Sequence, residues 1–167
     1  NLTDKYIEYF TNFTIDIEPY FEYWKHFKRI CLISSLDEQK ERFEYIRFNG
    51  KWNNVLSNKN KIDRYIKEYG NLKFIIQPTI DIFNIYNFPL TLKEWMLNEF
   101  ITINSIILNL VGDIKELTFE NLPTNYLKEC LDNFLELEKY NNISINEFIK
   151  TLKIFIKNDN FDEDNLK

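Results

Sequence analysis

The sequence predicts an all-α protein, or nearly so, built as one helical bundle or orthogonal helical array. Its 167 residues fit one domain of ordinary size, and the 44% share of hydrophobic residues is too high for a disordered chain. Three segments carry a capping box, in which a hydroxyl group caps a backbone N–H and a glutamate three residues later reaches back. Apolar residues follow each box at three- and four-residue steps, as in a helix. The boxes lie at 35–38, 91–94 and 144–147.

Four helices are predicted in the first half of the chain. Apolar side chains recur there at helical spacing, and Pro19 suits the first turn of the second helix. Gly50 and Gly70 indicate helix ends, because glycine readily adopts the left-handed conformation found there. A polar loop rich in Asn and Lys runs through Lys59 before the fourth helix. The predicted helices cover 4–12, 17–33, 36–48 and 61–69.

Two short segments allow another structure. Asn49-Gly50 between apolar-rich flanks is the strongest short signal for a β-hairpin, so a hairpin over 43–55 competes with the helix end. The capping box that precedes this segment favours the helix. The segment 72–76 is predicted to be a short strand or simply extended chain.

A long helix over 91–111 is the predicted centre of the fold. Its apolar side chains lie on more than one face, and such a helix tends to be surrounded by neighbours. The aromatic residues near the start of the chain are expected to lie mostly in the core around it. The apolar residues of this helix are Leu92, Trp95, Met96, Phe100, Ile103, Ile106, Ile107 and Leu110, with Ile101 and Leu108 on another face.

Shorter helices complete the prediction. One begins at Pro78, and two more cover 125–140 and 144–157. Residues 1–157 are predicted to form a single helical domain. The acidic segment 158–167 is predicted to be a disordered tail.

Few residues point to catalysis or to a cofactor. One histidine, His26, and two distant cysteines, Cys31 and Cys130, cannot form a Cys/His zinc site. Three isolated glycines cannot form a phosphate-binding loop, and the chain has no nucleophile elbow of the G-x-S-x-G type. We therefore predict a protein without enzymatic activity, metal or cofactor, with both thiols buried.

The segment 141–148 resembles the second half of an EF-hand calcium-binding loop and its exiting helix. In this resemblance Glu147 would be the bidentate ligand at the end of the loop. The first half departs from the pattern, since Glu136 replaces the usual Asp, Tyr140 occupies a ligand position and Asn141 replaces Gly at the sharp turn. A plain capping box explains the same residues. We therefore predict no functional calcium site.

Uneven charge is the clearest functional signal in the sequence. The chain carries a formal net charge of −5, yet residues 47–73 carry +5 and the remainder carries −10. Basic groups interleaved with aromatic rings can bind an acidic protein surface or single-stranded nucleic acid. The same pattern also fits a solvated loop followed by a lysine-bearing helix face. The candidate binding residues are Arg47, Lys51, Trp52, Lys61, Arg64, Tyr65 and Tyr69.

These patterns predict a non-enzymatic protein-protein interaction module of the host-interaction, immunity or antitoxin-like, or adaptor type. A protein partner is expected, because the acidic remainder of the chain disfavours a dedicated nucleic-acid binder. Binding of nucleic acid or another anionic ligand through 47–73 is the second hypothesis, and an enzyme with an unrecognised site is the third. No segment has the unbroken apolar length of a membrane span, and the lone cysteines favour an intracellular, cytoplasmic location. The excess of Asn, Ile and Lys suggests an A/T-rich genome.

Overall fold

The computed structural model describes residues 2–112 and 114–158, and the chain divides into two compact units, 1–78 and 79–167. Of the described residues, 54% are helical and 14% lie in strands. The strands form two small parallel sheets, one in each unit. The protein is therefore mixed α/β, and the prediction of an all-α helical bundle or array is wrong.

The first unit alternates strands with helices. Its elements are β1 (Tyr6–Thr11), α1 (Phe21–Trp24), β2 (Arg29–Ser34), α2 (Lys40–Ile46), α3 (Trp52–Tyr69) and β3 (Leu72–Ile76). The strands pair in parallel in the order β1-β2-β3, so each connection must cross back to the start of the next strand. The first crossover contains α1, and the second contains α2 and α3.

β1 and β2 replace the helices predicted at 4–12 and 17–33. Both strands are rich in aromatic and β-branched residues, and the apolar run 30–33 has no polar face. Such runs are typical of strands in parallel sheets. Three- and four-residue spacing also appears in these segments, because a short run of apolar residues fits either period. The helix predicted over 4–12 is therefore wrong, and the helix predicted over 17–33 is present only in part, as a 3-10 turn at Glu18–Tyr20 and α1.

The second crossover also differs from its predicted form. α2 begins at Lys40 rather than at 36, and its N-cap Gln39 is extended. The two acidic residues of the box at 35–38 bind arginines: Asp37 binds Arg47, and Glu38 accepts from Arg42 Nε at 3.1 Å.

α3 begins before the predicted fourth helix. Its first residue is Trp52, so the polar loop predicted through Lys59 is wrong. Asn49 has a left-handed φ of 59° in the turn that separates α2 from α3, and no hairpin forms there. Gly70 has a φ of 69° and ends α3 as the sequence predicts, with its N–H donating to the carbonyl of Ile66.

The core of the first unit lies between the sheet and α3, which contacts β3. The buried side chains of α3 recur at three- and four-residue steps and include Val55, Ile62 and Tyr65. The facing side of the sheet contributes the buried residues Leu32 and Ile76. The sequence allowed either a short strand or extended chain over 72–76. This segment is a strand, and the buried side chains of α3 pack against it.

Helices dominate the described part of the second unit. Its elements are β4 (Thr79–Ile80), α4 (Phe88–Leu97), β5 (Asn109–Leu110), α5 (Thr124–Leu135) and α6 (Ile143–Asn158). β4 and β5 pair in parallel, α4 contacts α5, and α5 packs along α6. The side chains that fill this core include Trp95, Phe134, Phe148 and Leu152.

The predicted central helix over 91–111 is wrong. α4 ends at Leu97, and Glu99 adopts a left-handed φ of 54° just beyond it. The next residues are rich in β-branched Ile and Thr, which lose side-chain freedom in a helix, and they form a short 3-10 turn and β5. The helix predicted from Pro78 is likewise replaced by β4.

The last two helices are present with shifted bounds. α5 is shorter than the predicted 125–140, and α6 extends one residue beyond the predicted 144–157 at each end. Asn142 rather than Ser144 caps α6, since the side-chain Oδ1 of Asn142 accepts from the N–H of Ile145 at 3.0 Å. The single domain over 1–157 stays a prediction, and the predicted tail lies outside the described residues apart from the end of α6.

Candidate functional site

Two of the candidate aromatic residues belong to the core of the first unit. Trp52 is 8% exposed and its ring centroid lies 5.5 Å from that of Phe43. Tyr65 is 1% exposed and packs edge-on against Trp24 at 5.9 Å. Burial raises the pKa of the Tyr65 phenol above its ordinary value. In this structure neither ring is placed to contact a partner directly.

The candidate basic residues near α2 already pair with carboxylates. Arg47 binds the buried side chain of Asp37. Lys51 Nζ lies 3.0 Å from Oε2 of Glu44, whose Oε1 also accepts from the N–H of Trp52. These contacts fix the turn before α3 and neutralise part of the positive excess in 47–73.

Lys61 holds the segment that follows β1. Its Nζ lies 2.6 Å from Oδ1 of Asp16 and 3.1 Å from Oε2 of Glu18. The hydrogen bond from Lys61 keeps the pKa of the exposed Asp16 carboxyl below its ordinary value. Asn58, one turn earlier on α3, donates from Nδ2 to the carbonyl of Ile15 at 2.8 Å. α3 therefore positions this segment against the sheet.

Three candidate residues remain well exposed, namely Arg64, Tyr69 and Lys51, of which Lys51 pairs with Glu44. The side chain of Arg64 is 71% exposed, with Nη2 at 3.8 Å from the carboxylate of Glu18. Tyr69 is 42% exposed and packs on Tyr65 at 4.7 Å. The structure thus separates the predicted site, with part of it in the core, part in ion pairs and part at the surface.

A different surface of the first unit lies along β1. β1 pairs with β2 on one side only, and no described strand pairs with its other side. At the two ends of the ladder, the carbonyl of Lys5 accepts from Lys28 N–H and that of Thr11 from Ser35 N–H. Alternate residues of a strand direct their backbone groups to opposite edges. The backbone groups of residues 6, 8 and 10 therefore point to the open edge.

The side chains of the same three residues are exposed. Tyr6 is 64% exposed and Phe10 is 68% exposed, and Glu8 lies between them on one face of the sheet. Strands of parallel sheets are usually covered on both faces, and open edges are usually shielded. Within residues 2–112 and 114–158, no strand pairs with this edge of β1, and its side chains on this face stay exposed. We call the outer edge of β1, with Tyr6, Glu8 and Phe10, the β1 edge surface.

A pocket adjoins the β1 edge surface on the opposite face of the sheet. It encloses about 180 Å³ and is mainly apolar. The ring of Tyr9 lies 5.6 Å from that of Trp24, and the ring of Tyr20 stacks on Trp24 at 6.1 Å. Its lining residues are Tyr9, Phe10, Thr11, Ile15, Asp16, Ile17, Tyr20, Trp24 and Leu32.

Sequence reasoning missed this surface because the segment was assigned to a helix with its aromatic rings in the core. One signal was present. Residues 6–11 combine aromatic and β-branched side chains with Glu8 and Thr11, which is typical of a half-exposed strand. The spacing of the same residues also fits a helix, so the pattern alone did not decide.

Polar groups elsewhere do not assemble a reaction centre. Ser34, Asp37 and Glu38 are buried after the carboxyl end of β2, where ligands often bind in parallel α/β proteins, but Arg47 and Arg42 pair with the two carboxylates. Across residues 2–112 and 114–158, no group of three or more His, Cys, Asp or Glu residues is arranged to hold a metal ion.

The other residues that the sequence singled out are His26, the two cysteines and Glu147. His26 is exposed in the turn after α1. Cys130 is buried, and burial raises the pKa of its thiol to about 12, whereas Cys31 is only partly buried. In the EF-like segment, Glu147 accepts from Lys150 Nζ at 2.7 Å on the surface of α6. The absence of a calcium site stays a prediction.

None of the described helices combines the length and the apolar character that crossing a membrane requires. Comparisons with known protein families, curated proteins and solved structures found no significant match for this chain.

Proposed function

We propose that this chain is a non-enzymatic protein-protein interaction module that binds its partner through the first unit. The observation that carries the proposal is the β1 edge surface, where an unpaired strand edge coincides with two exposed aromatic rings. Aromatic residues are enriched where proteins bind each other, because they bury a large area with little loss of side-chain freedom.

The energy available at this surface supports binding. Tyr6 and Phe10 are each about two-thirds exposed. Covering the exposed part of each ring removes apolar area worth about 1–2 kcal/mol per ring. An open strand edge adds backbone donors and acceptors that a partner can satisfy.

The exposed members of the predicted basic-aromatic site can extend this surface. Arg64 lies beside Glu18, which belongs to the segment that also contributes to the pocket. Tyr69 connects to the pocket through the ring contacts of Tyr65 and Trp24. Arg64 and Tyr69 would then contact the periphery of an acidic partner, while β1 supplies the centre of the interface.

The proposal is tested by partner capture from the native source with the full chain as bait. Phe10→Glu should weaken the captured partner's affinity at least about tenfold, or about 1.4 kcal/mol. Phe48→Glu is the matched control, because Phe48 is an aromatic residue 93% exposed in the turn after α2. An equal loss of partner affinity in both variants, or a loss of affinity in Phe48→Glu alone, would remove the β1 edge surface from the proposal.

Binding of nucleic acid or another anionic ligand through 47–73 ranks second. Arg47, Lys51 and Lys61 are engaged by carboxylates, which lowers the positive potential that phosphate groups would meet. Among the candidate binding residues, Arg64 and Tyr69 are best placed to bind an anionic ligand. A catalytic role ranks third, and no arrangement of the described side chains favours it.

A further inference from the structure

Resting on the proposed function, we propose that β1 binds an extended segment of the partner as an added antiparallel strand, with a Lys or Arg of that segment opposite Glu8. The occupant is thus a foreign peptide segment with a basic residue flanked by apolar ones. This goes beyond partner binding in general, because it states the conformation, the register and the charge of the bound segment.

The backbone of β1 carries the first step of the argument. Residues 6, 8 and 10 direct their N–H and C=O groups away from β2, as the ladder bonds at Lys5 and Thr11 show. An extended segment can satisfy all of these groups at once, whereas a helix laid against the edge cannot. Antiparallel addition gives the better-aligned hydrogen bonds.

The charge of Glu8 selects the occupant. In a symmetric pair of two copies, the register that pairs residues 6, 8 and 10 of both strands places Glu8 opposite Glu8. Like charges directly opposite each other destabilise a sheet. Registers shifted by two residues leave one of the three positions unpaired in each copy. A second copy of this chain is therefore a poor occupant, and a strand with a basic residue is a good one.

The cations of the described ladder lie on the inner side of Glu8, and Lys28, just before β2, has its Nζ 5.5 Å from the centroid of the Tyr6 ring. Within the ladder, Cys31 lies beside Glu8 and Lys73 lies beside Cys31, so Lys73 is two strands away. Arg29 lies beside Tyr6, also on the inner side. Glu8 is exposed, and the position across the open edge is free for a cation from the partner.

Side chains on the two faces define the rest of the segment. Residues opposite Tyr6 and Phe10 share their face, so apolar side chains there would cover the two exposed rings. The residue opposite Tyr9 points to the other face, beside the pocket lined by Tyr9, Ile15 and Trp24. The expected segment has apolar residues two positions before and two positions after its Lys or Arg.

A display library of random heptapeptides selected against the full chain tests the charge and the pattern. The wild-type chain should enrich peptides with a central Lys or Arg flanked at two-residue spacing by apolar residues. Glu8→Lys should reverse the preference to a central Asp or Glu. Glu41→Lys, at an exposed position on α2, is the matched control and should keep the wild-type preference. The same peptides enriched by all three chains would overturn the proposal.

Backbone N-methylation of the best selected peptide tests the added strand. Methylation at the basic residue, whose N–H would face β1, should weaken binding about fivefold to tenfold. Methylation at either neighbouring residue, whose N–H would face away, should change affinity by less than about twofold. Amide chemical shifts of the labelled full chain should move along residues 6–11. Equal effects of methylation at all positions, or shifts confined to another region, would overturn strand addition.

The two proposals fail separately. Partner capture that depends on Phe10, combined with no peptide selection at Glu8, would leave the proposed function standing and overturn the added strand. A dimer of the chain that is stabilised by Glu8→Gln, which removes the opposed charges, would identify a second copy as the occupant, and would likewise overturn the proposal of a foreign basic segment.

Discussion

Asn58 shows how one side chain inside the first unit positions the segment beside β1. Its Nδ2 donates to the carbonyl of Phe13 at 2.9 Å and to that of Ile15 at 2.8 Å. Phe13 is fully buried with a left-handed φ of 62°, a conformation that costs energy in any residue with a side chain. The two hydrogen bonds help to offset that cost.

Asn58→Ala should lower the free energy of unfolding by about 2–3 kcal/mol, because two largely buried carbonyls lose their donor. Urea unfolding followed by circular dichroism measures the change. Asn60→Ala, at an exposed position on the same helix, should stay within about 0.5 kcal/mol of wild type. Equal stability of the two variants would show that these carbonyls find other donors.

The two cysteines differ in exposure, and their reactivity should differ with it. Cys130 is fully buried with a pKa of about 12, so at pH 8 only about one thiol in ten thousand is ionised. Cys31 is partly exposed, although burial raises its pKa as well. Iodoacetamide at pH 8 should therefore alkylate Cys31 first, as measured by mass spectrometry of peptides.

The control for this prediction is the unfolded chain. In concentrated denaturant both thiols should return to ordinary pKa values and react at similar rates. Faster alkylation of Cys130 than of Cys31 in the folded protein would contradict the burial that the structure assigns to it.

At the scale of elements, the end of α4 decides how the second unit is built. The helix stops at Leu97, and the chain turns at Glu99 through a left-handed conformation that glycine adopts without penalty. Trp95 and Phe100 pack together across this turn, with ring centroids 5.6 Å apart. The packing of these rings favours the turn over continuation of the helix.

Glu99→Gly should raise the free energy of unfolding by up to about 1 kcal/mol, because it removes the steric cost of the positive φ. Leu97→Gly, at an 83% exposed position within the last turn of α4, should lower it by about 1 kcal/mol. Thermal unfolding of the two variants measures whether each substitution raises or lowers the free energy of unfolding. Destabilisation by both substitutions would argue that Glu99 contributes more through its side chain than its conformation costs.

At the scale of the whole molecule, the distribution of charge favours a protein partner over nucleic acid in our proposal. Residues 47–73 carry a formal net charge of +5, and the remainder of the sequence carries −10. Within 47–73, Lys59 also binds Asp63 at 2.5 Å from Nζ to Oδ2. A phosphate backbone would have to displace such contacts before it gained its own.

We therefore expect no submicromolar binding of single-stranded RNA or DNA at physiological salt. Fluorescence anisotropy with labelled oligonucleotides measures this, with titrations at low and high salt. A submicromolar complex that weakens steeply with salt and is lost in Arg64→Glu would contradict the expectation. It would then place the anionic-ligand hypothesis ahead of protein binding.

Several features of this protein were determined by the sequence alone. Both bounds of α6 and the start of α5 were predicted to within one residue, because their apolar residues recur at helical spacing over more than three turns. Gly70 marked the end of α3 for a local reason, its tolerance of positive φ. The charge excess in 47–73 can also be counted from the sequence.

Tertiary structure alone decided the fold class and the position of the candidate surface. Residues 6–11 and 29–34 suit either a helix or a strand locally, and pairing between segments more than twenty residues apart made them strands. Pairing also placed β1 at the edge of the sheet, with Tyr6 and Phe10 exposed on one face. Their aromatic character alone had suggested that both side chains lie in the core. Conversely, packing against the sheet buried Trp52 and Tyr65. Exposure depends on which distant segments cover a residue, and that is a property of the assembled chain.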